Sequence, residues 1–261
     1  MLLCRFGPEG LLAAGESLQQ LRVLFSDPFE TPVSQWQLGR QVDLGQGEAL
    51  RAPLAPGKIV CVGRNYRDHA AELGNPLPTE PLIFLKAPSS VVGPGTAIVL
   101  PPESARVDFE GEIALVIRRR LRRVSAAEAL AGVLGVTCAN DVSARDLQKR
   151  DGSFSGAKSF DTFCPLGPAI LVDPDWPSLE VRTRVNGSPR QHGRVAEMVF
   201  GFATLLAHAS CRMTLEPGDI FLTGTPAGVG PLADGDRVEV EIPGVGVLAS
   251  PVEAWRQSAA S

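Results

Sequence analysis

The amino-acid sequence predicts a mainly β chain of the α+β type with short helices. Glycine and proline are frequent, at 27 and 22 of 261 residues, while aromatic residues make up 6%, a balance expected of strands joined by turns. Apolar runs are short and end in Gly, Pro, Asn or Asp, the punctuation of strands. Helical spacing of apolar residues is sustained in one stretch only, Val195 to Ala209. With 44% hydrophobic residues the chain supports one large packed domain, with or without a small appendage.

In residues 1–55, Leu2 to Phe6, Leu11-Leu12 and Leu21 to Phe25 are short apolar pieces. The segment Gln46 to Pro56 reads as a linker, which divides the chain into a small N-terminal subdomain, 1–55, and a main domain, 56–261. Lys58 to Gly63 reads as a buried strand, and Asn65 and Gly74 bracket a helix of about two turns. His69 and Glu72 share one face of that helix, either as a surface ion pair or as an oriented acid–base pair. Leu82 to Lys86 and Ala97 to Leu100 are strands around the turn Gly93-Pro94-Gly95, with Lys86 either a strand-end charge, the preferred reading, or a site residue.

In the stretch Val107 to Val116 the apolar second half reads as a strand, along which Glu110 and Glu112 face the same way across Gly111. Two carboxylates so close are either a solvated edge pair or neighbours of a cation. The basic run Arg118 to Arg123 reads as a solvated hairpin end, and Ser125 to Glu128 as a capping box opening a helix over Ala126 to Leu134. A buried strand over Val133 to Ala139 then leads to Asp141. Ser143 with Asp146 starts a helix that puts Arg145 and Gln148 on a common face. Asp151 to Gly156 is a flexible loop from which Lys158 emerges.

Ala169 to Val172 and Glu180 to Val185 are strands, the second entering an Asn186-Gly187 hairpin turn. The Val195 to Ala209 helix carries His208 as a cation at its end. Asp219 to Thr223 is a strand running into the glycine-rich loop Gly224 to Gly230, which lacks the Lys-Ser/Thr ending of a P-loop. Arg237 to Ile242 and Val245 to Ala249 form a terminal hairpin.

A net charge of −4 and a pI near 5.5 give no long-range attraction for nucleic acid or acidic membranes, so a small-molecule partner is expected. The five cysteines are scattered without a Cys-x-x-Cys pair, as expected of reduced buried thiols. No leader-like or membrane-spanning stretch is evident, and a cytoplasmic protein is expected.

In order along the chain, the motifs Gly63–Gly74, Phe109–Val116, Ala139–Gln148, Lys158–Pro165 and Gly224–Gly230 resemble the fumarylacetoacetate hydrolase family. The resemblance implies a mixed β-roll or β-sandwich with short helices, usually dimeric. By that family's pattern Glu110, Glu112 and Asp141 bind one Mg²⁺ or Mn²⁺, leaving coordination positions for a 2-oxo acid. His69, held by Glu72, is implied as the general base, with Lys158 catalytic, and Arg145, Gln148 and Thr225 placing substrate and its developing negative charge. The implied reaction is hydrolysis of a C–C bond in acylpyruvates by way of pyruvate enolate, with oxaloacetate decarboxylation as a companion. A lyase, isomerase or hydratase acting on another 2-oxo acid, such as a catabolic dienedioate, and a non-catalytic metabolite-binding paralogue stay open. Where relatives often carry a Gly-Leu-Pro-Trp-like lid, this chain has Arg150-Asp151-Gly152-Ser153-Phe154.

Overall fold

The central strands are apolar on both faces, and this decides the architecture. Ile113, Leu115 and Ile117 enter one core, and Ala114 and Val116, on the opposite side of the same strand, enter another. A strand of that kind has to be covered twice.

The computed structural model describes residues 1–44, 49–72, 74 and 76–257. Gln46, where the expected linker begins, and Leu73 of the first helical motif lie outside the described residues. The N-terminal segment contributes β1 (Leu2–Phe6), β2 (Leu11–Gly15), β3 (Arg22–Leu24), β4 (Leu38–Gln41) and β5 (Leu50–Arg51). Next come β6 (Ile59–Gly63), α1 (Arg67–Glu72), β7 (Leu82–Lys86), β8 (Val91–Val92) and β9 (Ile98–Leu100). The middle of the chain holds β10 (Val107–Phe109), β11 (Gly111–Ile117), α2 (Ala126–Ala129), β12 (Val133–Asn140), β13 (Ser143–Ala144), α3 (Arg145–Asp151) and α4 (Phe154–Lys158). It closes with β14 (Cys164–Val172), β15 (Glu180–Val185), β16 (Ser188–Arg194), α5 (Phe202–Arg212), β17 (Ile220–Leu222), β18 (Gly230–Pro231), β19 (Arg237–Ile242) and β20 (Gly246–Ala254).

Among the described residues, a sheet of 12 strands runs β4-β3-β2-β1-β14-β12-β11-β17-β6-β7, with β5 beside β1 and β8 beside β14. A second sheet, β16-β15-β19-β20-β9, packs over one face with α5, and a small sheet, β13-β10-β18, lies at the end of β11. The mainly β expectation holds. The first strands join the main sheet directly, since β1 pairs antiparallel with β14.

Several elements differ from the sequence reading. In the stretch Val107 to Val116 the strand expected in the second half is present as β11, but Val107–Phe109 is β10 of another sheet, and Glu110 lies between the two. There the Glu110 N–H donates to the Asn140 side chain at 2.9 Å, which takes it off the ladder. The expected helix Ala126 to Leu134 keeps its capping box, but a 3₁₀ turn at Leu130–Gly132 ends it and Val133 already belongs to β12. The helix expected from Val195 starts at Phe202, because Val195–Glu197 is a separate 3₁₀ turn whose Met198 extends and bridges Tyr66. His208 lies inside that helix, and burial lowers its pKa, so it is no terminal cation.

Ser143 starts no helix either. Its hydroxyl donates to the Asp141 carbonyl, and α3 begins two residues later. Part of the expected flexible loop is α4. The Asn186-Gly187 turn is as expected, with both residues at positive φ, 52° and 77°. All five cysteines are free thiols, and only Cys211 is exposed.

Candidate active site

The break at Glu110 creates the site. Because β10 and β11 enter different sheets, the chain at Glu110 is free to aim its carboxylate where β12 delivers Asp141. The Asp141 N–H donates to the Glu110 carbonyl at 2.8 Å, which fixes the two residues side by side. Gly111 pairs with Asn140 in the ladder, and a Cβ at Gly111 would overlap the Thr183 hydroxyl, so only glycine fits between the two glutamates. Carboxylate oxygens of Glu110, Glu112 and Asp141, all buried, come within 4.8 Å of one another.

Three cations answer these acids. Lys158, at the end of α4, bridges Glu110 at 2.7 Å and Asp141 at 2.6 Å. Arg145, at the start of α3, donates to Glu110 at 2.5 Å, to Asp108 at 3.0 Å and to the Gln148 side-chain carbonyl at 2.8 Å. Lys86 is the third, reaching Asp141 at 2.7 Å. Among the described residues Glu112 has no such partner, and it accepts the Gly224 N–H at 2.7 Å.

The titration of the acids follows this division. Burial penalises the charge on Glu110, but Lys158 and Arg145 outweigh it and hold this carboxyl below the usual range. Burial, then the neighbouring Asp141 and Glu110, push Glu112 well above it. Burial likewise opposes the charge on Lys158, yet Asp141 and Glu110 raise its pKa.

His69 is buried on α1, with Nδ1 3.3 Å from the Glu72 carboxylate. Glu72 is held from behind by the Gly228 N–H at 3.1 and 3.2 Å, which ties α1 to the glycine-rich loop. In that loop the Thr225 hydroxyl donates to the Gly111 carbonyl at 2.9 Å and accepts from Gln191 at 2.7 Å. Val62, Arg64, His69, Phe84, Phe154 and Thr225 line, with the acids, Arg145, Gln148 and Lys158, a cavity of about 390 Å³. The nine residues singled out in the sequence therefore converge on this cavity, with Glu72 immediately behind His69.

A divalent ion suits this donor set. Three buried carboxylates, without thiolate or imidazole among them, could hold a metal ion through oxygen alone, the donor type that hard cations take. Glu112, crowded by two acids and lacking a cationic partner, is the group such an ion would relieve.

The sequence reading missed three participants. Lys86, expected at a strand end, is buried; its signal was its phase, two residues from the buried Phe84 on β7. Asp108, which receives Arg145 and the bidentate Arg106, also shares the alternation of Glu110 and Glu112. Gln191 clamps the Gly111 N–H at 3.0 Å as well as Thr225, and nothing in its hairpin sequence marks it.

The model of the fumarylacetoacetate (FAA) hydrolase C-terminal domain matches residues 58–253. Protein Rv2993c of Mycobacterium tuberculosis is 47% identical over 234 residues, 88% of this chain and 87% of that one. The mitochondrial oxaloacetate tautomerase FAHD2A of Homo sapiens is 46% identical over 211 residues, covering 76% of this chain and 67% of that one. The crystal structure of 2-hydroxyhepta-2,4-diene-1,7-dioate isomerase from Mycobacterium marinum superposes with a TM-score of 0.87 at 43% identity, over 97% of this chain and 98% of that one. With its matching domain, its relatives and its carboxylate-lined cavity all in agreement, the chain belongs to the fumarylacetoacetate hydrolase family.

Proposed function

We propose that the protein is a divalent-metal-dependent enzyme that interconverts the enol and keto forms of a 2-oxo dicarboxylic acid by moving a proton at the carbon beside the ketone. One observation carries this reading: the carboxylates of Glu110, Glu112 and Asp141 and the imidazole of His69 line the same cavity. Two similar proteins, an oxaloacetate tautomerase and a 2-hydroxyhepta-2,4-diene-1,7-dioate isomerase, support it by their names.

Mg²⁺ or Mn²⁺ held by Glu110, Glu112 and Asp141 would withdraw electron density from the 2-oxo acid and so acidify the C–H beside its ketone. Towards the enol, His69 takes that proton from the carbon and the ketone oxygen gains one; towards the ketone, the hydroxyl oxygen loses its proton and His69 delivers one to the carbon. Glu72, fixed by the Gly228 N–H, engages Nδ1 and leaves Nε2 for the substrate. Lys158 and Arg145 keep Glu110 ionised and hold it in place. Phe84, Phe154 and Val62 supply the apolar walls that exclude water from the reacting carbon.

The His69–Glu72 pair also suits a second reaction, the C–C hydrolysis of acylpyruvates, in which His69 activates a water instead. We take the working form in either case to be a cytoplasmic homodimer. The test is the decay of the oxaloacetate enol absorbance with Mg²⁺, Mn²⁺ or EDTA, beside acetylpyruvate as a cleavage substrate. Tautomerisation that EDTA abolishes, and that His69→Ala slows about a hundredfold or more, supports the first reading. Pyruvate release from acetylpyruvate at a higher kcat/KM selects the second, and no metal-dependent change in either acid rejects both.

A further inference from the structure

The cavity wall contains one half-buried cation that none of the acids uses. Arg64 lines the cavity and, among the described residues, has no hydrogen-bond or ion-pair partner, whereas Arg145, Lys158 and Lys86 are each paired with a buried carboxylate. The fold holds Arg64 in an unfavourable conformation to keep it there. Its φ is +57°, in the left-handed region that side chains with a Cβ rarely adopt.

The neighbouring Asn65 explains how this is enforced. Its side-chain amide donates to the carbonyls of Phe200 at 3.1 Å and Thr223 at 2.8 Å, and its carbonyl oxygen accepts the Phe200 N–H at 2.9 Å. Gly224 packs so close that a Cβ there would stand 2.8 Å from the Asn65 Cβ. With Asn65 pinned from two loops, the turn leaving β6 has one course open, and Arg64 is carried on it to the cavity wall. Strain persists where the surroundings over-determine it and marks functional positions.

Charge balance says what Arg64 awaits. Asp108, Glu110, Glu112 and Asp141 are four buried acids, and Lys86, Arg145 and Lys158 are three buried cations. Arg106 also pairs with Asp108, so with every acid ionised these groups balance, and a divalent ion on the acids adds two positive charges, of which the carboxylate of a 2-oxo acid cancels one. Arg64 then remains unmatched. Lys149 also lines the cavity without a partner, but it is exposed, and water can solvate it.

We propose that Arg64 is a specificity-determining residue that binds the second carboxylate of the substrate, so that the cavity prefers 2-oxo dicarboxylic acids to 2-oxo monocarboxylic acids of the same length. A guanidinium meets a carboxylate through two parallel hydrogen bonds, a geometry no monocarboxylate tail can supply. This inference rests on the 2-oxo acid reading of the site.

The test is calorimetric binding to the Mg²⁺-loaded protein of two five-carbon acids, 2-oxoglutarate and 2-oxopentanoate, which differ only in the distal carboxylate. The wild-type protein is expected to bind 2-oxoglutarate about tenfold or more tightly than 2-oxopentanoate. Arg64→Met is expected to bring that ratio close to one through loss of 2-oxoglutarate affinity. Arg64→Lys should recover part of it, and Lys149→Met should keep it whole. An unchanged ratio in Arg64→Met, or equal binding of both acids by the wild-type protein, overturns the role of Arg64 while leaving the 2-oxo acid reading intact. Failure of both acids to bind in the presence of Mg²⁺ rejects that reading, and the role of Arg64 falls with it.

Discussion

Lys86 Nζ lies 2.7 Å from Asp141 Oδ1, with both side chains shut off from solvent. The pair joins the edge strand β7 to the end of β12, so the ammonium compensates an acid that burial would otherwise leave costly. Lys86→Met should destabilise the metal-free protein by about 3–5 kcal/mol, the usual penalty for orphaning a buried charge. Added Mg²⁺ should recover part of the loss, because a divalent ion supplies compensation from the other side. Urea denaturation with EDTA and with Mg²⁺ measures both effects.

Gly111 and Thr183 form a steric pair between the main sheet and the sheet above it. A Cβ at 111 would overlap the Thr183 hydroxyl, which has no hydrogen-bond partner of its own. Gly111→Ala should cost about 1–3 kcal/mol. Thr183→Ala should be much milder, and the double variant should regain most of the loss, a coupling that a double-mutant cycle reads directly.

Glu112 makes the metal-free protein sensitive to pH in an unusual direction. Its folded pKa is raised, by burial first and then by Asp141 and Glu110. Below the ordinary carboxylate range, folded and unfolded chains are both protonated at this position and nothing is lost. As the pH rises past that range the unfolded chain ionises while the folded one does not, so stability declines until the raised pKa is passed. In EDTA, denaturation midpoints should therefore fall as the pH rises above the ordinary carboxylate range, and Glu112→Gln should flatten the decline. Mg²⁺, which competes with the same proton, should bind more tightly as the pH rises.

Glu72 touches His69 and the Gly228 N–H but does not line the cavity. In the proposed reaction it is a positioning residue. Glu72→Gln should lower kcat about tenfold or more with little change in KM, because substrate binding does not use it. Steady-state kinetics on oxaloacetate separate the two parameters.

Much of this was legible in the sequence, for identifiable reasons. Strand alternation put Glu110 and Glu112 on one side and helical spacing paired His69 with Glu72, each leaving a solvated pair open, and the family resemblance of the ordered motifs joined them with Asp141 as one site. The strand expected to carry Glu110 starts one residue after it, because Asn140, distant in the chain, takes its N–H. No local pattern encodes that competition. The α5 boundary was misplaced because a 3₁₀ turn at Val195–Glu197 carries the same apolar spacing as a helix until Met198 extends. Lys86 was misjudged by its position at a strand end, although its phase with Phe84 already placed it inside.

The central claim is that Glu110, Glu112 and Asp141 hold one divalent ion, and the most direct measurement is Mn²⁺ binding followed by electron paramagnetic resonance. The account predicts one Mn²⁺ per chain, displaced by Mg²⁺ and lost in both Glu112→Gln and Asp141→Asn while the proteins stay folded. Undiminished Mn²⁺ binding in those two variants would contradict it.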